Sequence, residues 1–195
     1  MTELVSDRLR AEREDKRRGQ KFLLWLSIGS MAMIFAGLTS AQLVRENQSN
    51  WFNFEMPVEF WISTALLIIS SGTMFLSVKG IKSDNRKQAR NYLLLTLILG
   101  IIFSVLQFIG WSRLADMGIY FVDSRNVSGS FFIVITGLHL VHLAGGLIAL
   151  IVTMIRASLG KYSSGDYLGL QLCAIYWHFL DILWVYLFLF LLIKG

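Results

Sequence analysis

Two pairs of side chains carry most of the chemistry this sequence could offer. His139 and His142 lie three residues apart, as do His178 and Asp181, and both pairs sit inside long apolar stretches. On a helix, residues i and i+3 share a face, so each pair would present two polar groups to one neighbour. Paired imidazoles and a carboxylate suit iron or zinc, which makes a metal or haem site the boldest reading. Two features oppose it. Ligands from two facing helices hold one metal more naturally than an i, i+3 pair does. The supporting carboxylates of helical-bundle di-iron sites are also missing, since only Asp181 lies deep in an apolar stretch. An ionisable group in hydrocarbon is costly and normally faces the bundle interior with a partner. The favoured reading is therefore a polar cluster with no metal, which joins helices or holds a lipid headgroup or a chain of water.

Membrane helices must position these residues. Of 195 residues, 55% are hydrophobic and one is proline, against an apolar share of about 45–50% in soluble domains; mean hydropathy is +0.58. The excess is gathered into five blocks, near 22–44, 58–78, 92–111, 130–155 and 172–193. Each meets the roughly 20 apolar residues that a membrane helix needs. Helices satisfy their backbone groups within one segment, and no block shows the two-residue alternation of barrel strands. The sequence thus predicts an all-α, polytopic membrane helix bundle with about five transmembrane helices. One membrane domain, 22–195, follows a basic segment, 1–21, with no repeat and no second domain. His142 lies about 13 residues from the inner end of its span and Asp181 about nine from that end of the next, so both fall in the middle third of the bilayer. A hydrogen-bonded His–Asp cluster between the fourth and fifth spans is expected.

Charge sets the orientation. The net charge of +5 comes from basic residues that flank the blocks without forming the aromatic-interleaved stripe of a nucleic-acid surface, so no nucleic-acid partner is expected. Fourteen of the 18 Lys and Arg residues fall in the N-terminal segment and the loops after spans 2 and 4; four fall on the other side. By the positive-inside rule the N-terminus of this multi-pass protein is cytoplasmic and the C-terminus lies outside. The segment before span 1 is too long and too charged for a signal peptide. Its mixed charges (Glu12, Arg13, Glu14, Asp15, Lys16) suit a surface helix with intrahelical pairs or a disordered arm against headgroups. The one cysteine, Cys173, excludes an intrachain disulfide and a thiolate cluster built by this chain alone.

The remaining polar and small residues read as ordinary membrane architecture. Gln107 can bridge helices through its amide, and Ser70-Ser71-Gly72 and Gly145-Gly146 permit close helix approach. Glu55 and Glu59 flank Pro57 at the outer edge of span 2, where Glu59 is expected to be hydrated. Trp25, Trp51, Trp61 and Trp111 fall near the interfaces, as aromatic belts do.

Longer motifs add a resemblance. The run Tyr176-Trp177-His178-Phe179-Leu180-Asp181-Ile182-Leu183-Trp184 resembles the YWHFVDVVW segment in the last helix of subunit III of the haem–copper respiratory oxidases. Thr136-Gly137-Leu138-His139-Leu140-Val141-His142, closing at Gly146, resembles that family's TGFHGLHxxxG. Gly129-Ser130-Phe131-Phe132 resembles YGSxFF, Gly100, Phe103 and Gln107 match GxxFxxxQ, and Thr64 with Leu66-Leu67 and Ser70-Ser71-Gly72 resembles NTxxLxxSG. The chain resembles a short, five-helix form of the cytochrome c oxidase subunit III family, whose members commonly have seven spans. The two missing helices form one wall of a lipid-filled cleft in that family, so the cleft here would be open or completed by another subunit. Met31, Gly110 and Gln171 stand where many members carry membrane glutamates.

The resemblance implies a non-redox accessory subunit of a terminal oxidase that reduces oxygen and pumps protons. Haem and copper would belong to subunits I and II, and this chain would bind structural phospholipids. Its partners would be subunits I and II and membrane lipids, with a supercomplex with a quinol-oxidising respiratory complex as a further option. The resemblance assigns it no catalytic residue. His139, His142, His178 and Asp181 would form the structural or lipid-binding cluster, and Gln107, Gly137, Gly146 and Trp177 would pack helices. The alternative is an independent membrane redox protein with His-ligated haem or iron. A small transporter would need broken helices and internal symmetry, and neither is visible.

Overall fold

The computed structural model describes residues 2–46, 56–119 and 127–194. Five helices make up the fold: α1 (Thr2–Glu46), α2 (Val58–Lys82), α3 (Arg86–Asp116), α4 (Val127–Ser158) and α5 (Leu168–Lys194). All five are long and apolar enough to cross a membrane. Among the described residues no strand forms beyond an isolated bridge between Ser163 and Asp166.

Helix ends are fixed by turn chemistry at the sequence level. At the end of α4, Gly160 takes φ +68° while its N–H reaches Ala157 O and the next N–H reaches Arg156 O. This pairing caps the last orphan carbonyls and needs a left-handed residue. The same device ends α3 at Gly118. Between α2 and α3, Asp84 supplies the positive φ, and Asn85 then accepts from Gln88 N–H to start α3. Two long helices are thereby joined by a three-residue turn, with Gly80 pressed against the backbone of Ala89.

Helices α2, α3, α4 and α5 close a ring in which each packs on its two neighbours, and α1 lies outside it against α5 and α4. Large rings reach across the middle. Phe103 of α3 meets Trp184 of α5 at 5.0 Å between centroids, and Phe60 of α2 meets Phe132 of α4 at 5.1 Å. Outward faces carry exposed Ile, Leu, Val and Phe throughout, as expected where the solvent is hydrocarbon.

Two expectations need correction. No break separates the basic segment from the first span, because α1 runs unbroken for 45 residues. At about 1.5 Å per residue that is about 67 Å, against a hydrocarbon core of about 30 Å, so the arm extends the span. Glu59 is not freely hydrated. Its carboxylate is 14% exposed and pairs with Arg113 of α3 at 3.3 Å. Glu55 and Trp51 lie outside the described residues.

Candidate functional site

Hydrocarbon offers no partner to a side-chain N–H or O–H, so the polar residues of a span must find one on another helix or on their own backbone. Each neighbouring pair of the four-helix ring has such a bond, as does α1 with α5. Two indoles tie α5 to α2: Trp177 Nε1–H donates to Ser70 Oγ at 3.1 Å, and Trp184 Nε1–H to Thr64 Oγ1 at 2.9 Å. Gln107 Nε2–H donates to Ser63 Oγ at 3.0 Å between α3 and α2, where Thr73 and Thr96 also meet at 2.7 Å. Trp111 Nε1–H reaches Thr136 Oγ1 at 3.1 Å between α3 and α4. The Tyr176 hydroxyl donates to His142 O at 3.1 Å between α5 and α4, and Thr39 and Tyr186 join α1 to α5 at 3.2 Å. Trp111 therefore packs a helix pair as well as lying near an interface. The indole bonds were findable in principle, since Trp177 and Trp184 are two turns apart and Ser70 and Thr64 run antiparallel to them.

Glycine contacts divide the packing residues. A Cβ at Gly146 would come within 3.0 Å of Leu180 and 3.3 Å of Tyr176, whereas at Gly137 the nearest atom is 3.8 Å away. Gly146 permits a close approach and Gly137 does not need to be glycine. Gly100 and Gly110 are tighter still, at 2.7 Å from Trp177 and Phe60.

The four ionisable residues do not converge. His139 is fully buried, with its ring centroid 5.0 Å from that of Trp184, 6.2 Å from Phe103 and 6.4 Å from Phe35. Neither of its nitrogens has a hydrogen-bond partner among the described residues. His142 turns toward α1, packs on Phe35 at 5.7 Å and places Nδ1 2.7 Å from Leu138 O. His178 and Asp181 face α2 instead. His178 Nδ1 lies 2.7 Å from Ser71 Oγ. Asp181 is 4% exposed and shares a notch with Ser71, yet neither carboxyl oxygen has a hydrogen bond of proper geometry among the described residues. The expected His–Asp bond between α4 and α5 is absent because the two i, i+3 faces point to different neighbours. No group of three or more His, Cys, Asp and Glu side chains comes together among the described residues.

A different place gathers charge. Where α1 leaves the bundle, Lys16, Arg17 and Gln20 face Arg156, Lys161 and Tyr162 across a cavity of ≈ 750 Å³. Arg17 also pairs with Asp166 at 2.9 Å, tying the arm to the α4–α5 turn. Arg156, Tyr162, Gly169 and Leu172 also line a second cavity of ≈ 460 Å³, which continues between α1 and the α4–α5 pair past Ala149, Val152 and Cys173. A third, ≈ 510 Å³, carries the groove on to Met31 and His142. Burial pushes the Tyr162 phenol above its ordinary value, against the opposing effects of Thr153 and Arg156. From Arg156 to His142 the groove runs 14 residues along α4, or about 21 Å at 1.5 Å per residue.

Five spans, a hydrogen-bonded polar framework and a groove that is cationic at one end define a multi-pass helical membrane protein. The family model described as "Cytochrome c oxidase subunit III" matches residues 48–195. A cytochrome c oxidase subunit 3 from Paracentrotus lividus is 38% identical over 127 residues, 65% of this chain and 47% of the relative. One from Scyliorhinus canicula is 34% identical over 135 residues, 69% of this chain and 49% of the relative. A "Probable cytochrome c oxidase subunit 3" from Nocardia farcinica is 32% identical over 171 residues, 85% of this chain and 82% of the relative. The chain belongs to the cytochrome c oxidase subunit III family. It spans about half the length of the first two relatives and about four fifths of the third.

Proposed function

We propose that this chain is an accessory, non-redox subunit of a terminal oxidase in a bacterial inner membrane, with its N-terminus cytoplasmic. Haem and copper are carried by the oxidase's other subunits, and this chain packs against subunit I and supports sustained turnover. Family membership over residues 48–195 carries the reading. The geometry supports it, since the indoles, hydroxyls and amide of the spans are engaged in joining helices and the histidines stand on separate faces.

The lipid it holds is an anionic phospholipid. Lys16, Arg156 and Lys161 suit a phosphodiester at the cationic mouth, and Arg17 adds charge while paired with Asp166. Acyl chain fits the apolar continuation past Ala149, Val152 and Leu172. The groove's run of about 21 Å exceeds the roughly 15 Å of one leaflet's hydrocarbon, so an acyl chain anchored at the mouth ends short of His142.

Affinity purification of the chain from membranes tests both parts. It should bring down haem- and copper-bearing polypeptides together with an anionic phospholipid. Each basic residue near a headgroup contributes about 1 kcal/mol, so Arg156→Gln with Lys161→Gln should weaken lipid retention by about 30-fold. A chain that purifies alone with a Soret band or stoichiometric iron would instead be an independent redox protein.

A further inference from the structure

The ring of four helices has two outer grooves beside α5. The groove between α5 and α4 is covered by α1. The groove between α5 and α2 is covered by no other helix among the described residues, and there the structure leaves a notch of ≈ 220 Å³ lined by Ile68, Ser71, Asp181, Ile182 and Val185. Its rim is open, with Ile68 56% and Ile182 70% exposed. Its floor is a carboxyl group that is 4% exposed and has no hydrogen bond of proper geometry among the described residues. Resting on the accessory-subunit reading above, we infer that this notch receives a transmembrane helix of another oxidase subunit, which inserts a hydrogen-bond donor (hydroxyl, amide, imidazole or basic nitrogen) onto Asp181.

Depth identifies the occupant. Asp181 is 13 residues from Leu168 and 13 from Lys194, the midpoint of α5. Phospholipid headgroups lie about 15 Å away at either surface of a 30 Å hydrocarbon core, and acyl chains carry no donor. A carboxyl group stranded at that level costs several kcal/mol unless a donor reaches it. A side chain on a crossing helix is the protein group that reaches it. Ser71 completes the floor. With its oxygen against His178 Nδ1, it can accept from the imidazole N–H and turn its own proton toward an incoming oxygen. Beside the notch, Gly72 has no neighbouring atom within 4 Å of where a Cβ would stand. The close approach that Gly72 permits is therefore unused among the described residues and open to a second helix backbone.

A photo-reactive amino acid placed at Ile182 or Ile68, in the tagged full-length chain assembled in its own membrane, reads the contact directly. The same probe at Val105, an exposed residue on the diagonally opposite helix α3, is the control. Ile182 and Ile68 should give adducts with another oxidase polypeptide, and Val105 should give mainly lipid adducts. Asp181→Leu should lower retention of the chain on the oxidase core about fivefold, the loss of one interhelical bond in lipid, while Asp181→Asn keeps most of it. Adducts from Ile182 with lipid alone or with a second copy of this chain would overturn the inference. So would core adducts from Val105 without any from Ile182. If no oxidase polypeptide copurifies with the unmodified chain, the accessory-subunit reading has failed and the inference falls with it.

Discussion

The contact between Gly100 and Trp177 gives the most quantitative prediction. A Cβ at Gly100 would stand 2.7 Å from Cη2 of Trp177 and 3.0 Å from Cδ2 of Leu147. Ordinary contact begins near 3.4 Å, so the indole would have to retreat by about 0.7 Å. It cannot do so freely. Trp177 is fully buried and its Nε1–H is held by Ser70 Oγ at 3.1 Å. Overpacking of this kind costs about 1–3 kcal/mol, while the helix gains up to about 1 kcal/mol from replacing glycine by alanine. Gly100→Ala should therefore destabilise the bundle by about 1 kcal/mol. Gly37→Ala, where no atom lies within 4 Å of the added carbon, should be neutral or slightly stabilising. Adding Trp177→Phe to Gly100→Ala removes the clashing edge of the indole. The double variant should then lose at least about 1 kcal/mol less than the sum of the singles, the coupling expected of residues in contact. Denaturation of the purified chain by SDS titration from mild detergent, followed by circular dichroism, measures all four. A Gly100→Ala variant as stable as Gly37→Ala, with additive behaviour in the cycle, would show that the α3–α5 contact is not as close as described.

Three further outcomes follow from the polar groups. Gln107→Leu should change stability by less than about 1 kcal/mol, because the amide makes one bond while its own Oε1 has no partner among the described residues, and apolar replacement of an incompletely satisfied buried group is nearly neutral; a loss above 2 kcal/mol in the same titration would contradict this. A hydrophobic carbodiimide should leave the peptide 22–45 unlabelled, since that stretch has no carboxyl group and Met31 occupies its middle; mass spectrometry of the labelled chain checks this. Lipid retention in the groove should be flat between about pH 6 and pH 9, because burial raises the Tyr162 phenol above its ordinary value of 10.0 and keeps it protonated there. A drop in bound phospholipid between pH 8 and pH 9 would mean that a phenolate forms among the basic residues.

The five spans were legible because lipid imposes one simple rule, a long apolar run, and the blocks at 58–78 and 172–193 lie within α2 and α5. The ends were less legible. Helix α3 begins at Arg86, six residues before its apolar block, because Asn85 caps it in the polar turn, and α1 runs through a charged arm that hydropathy treats as a separate segment. The polar residues were legible as types and as pairs, but their partners were not. An i, i+3 spacing fixes a face of one helix and leaves open which neighbour that face meets. His142 meets α1 while His178 meets α2, and Ser71, read from the sequence only as a small residue, became the partner of His178. The cationic groove was hidden for the same reason. Lys16 is far in sequence from Arg156 and Lys161, and only the packing of α1 on the α4–α5 pair brings them to one mouth.

Depth in the membrane separates what the two remaining open places can do. The groove mouth holds Lys16, Arg17, Arg156 and Lys161, with one carboxylate, Asp166, among them. On the reading proposed above, point charges there meet headgroups and water, so the mouth would select ligands by charge and weaken in salt. The Asp181 notch lies half a helix deeper, where screening and water are both lacking and a hydrogen bond must be made with a partner in fixed geometry. A lipid can satisfy the first place and cannot reach the second with its polar atoms. A crossing helix can satisfy the second place and gains close backbone approach at Gly72 as it does so. Neutralising the mouth should accordingly change which lipids copurify without releasing the chain from the oxidase. Removing the donor-accepting carboxyl should lower the chain's retention about fivefold without changing its lipids.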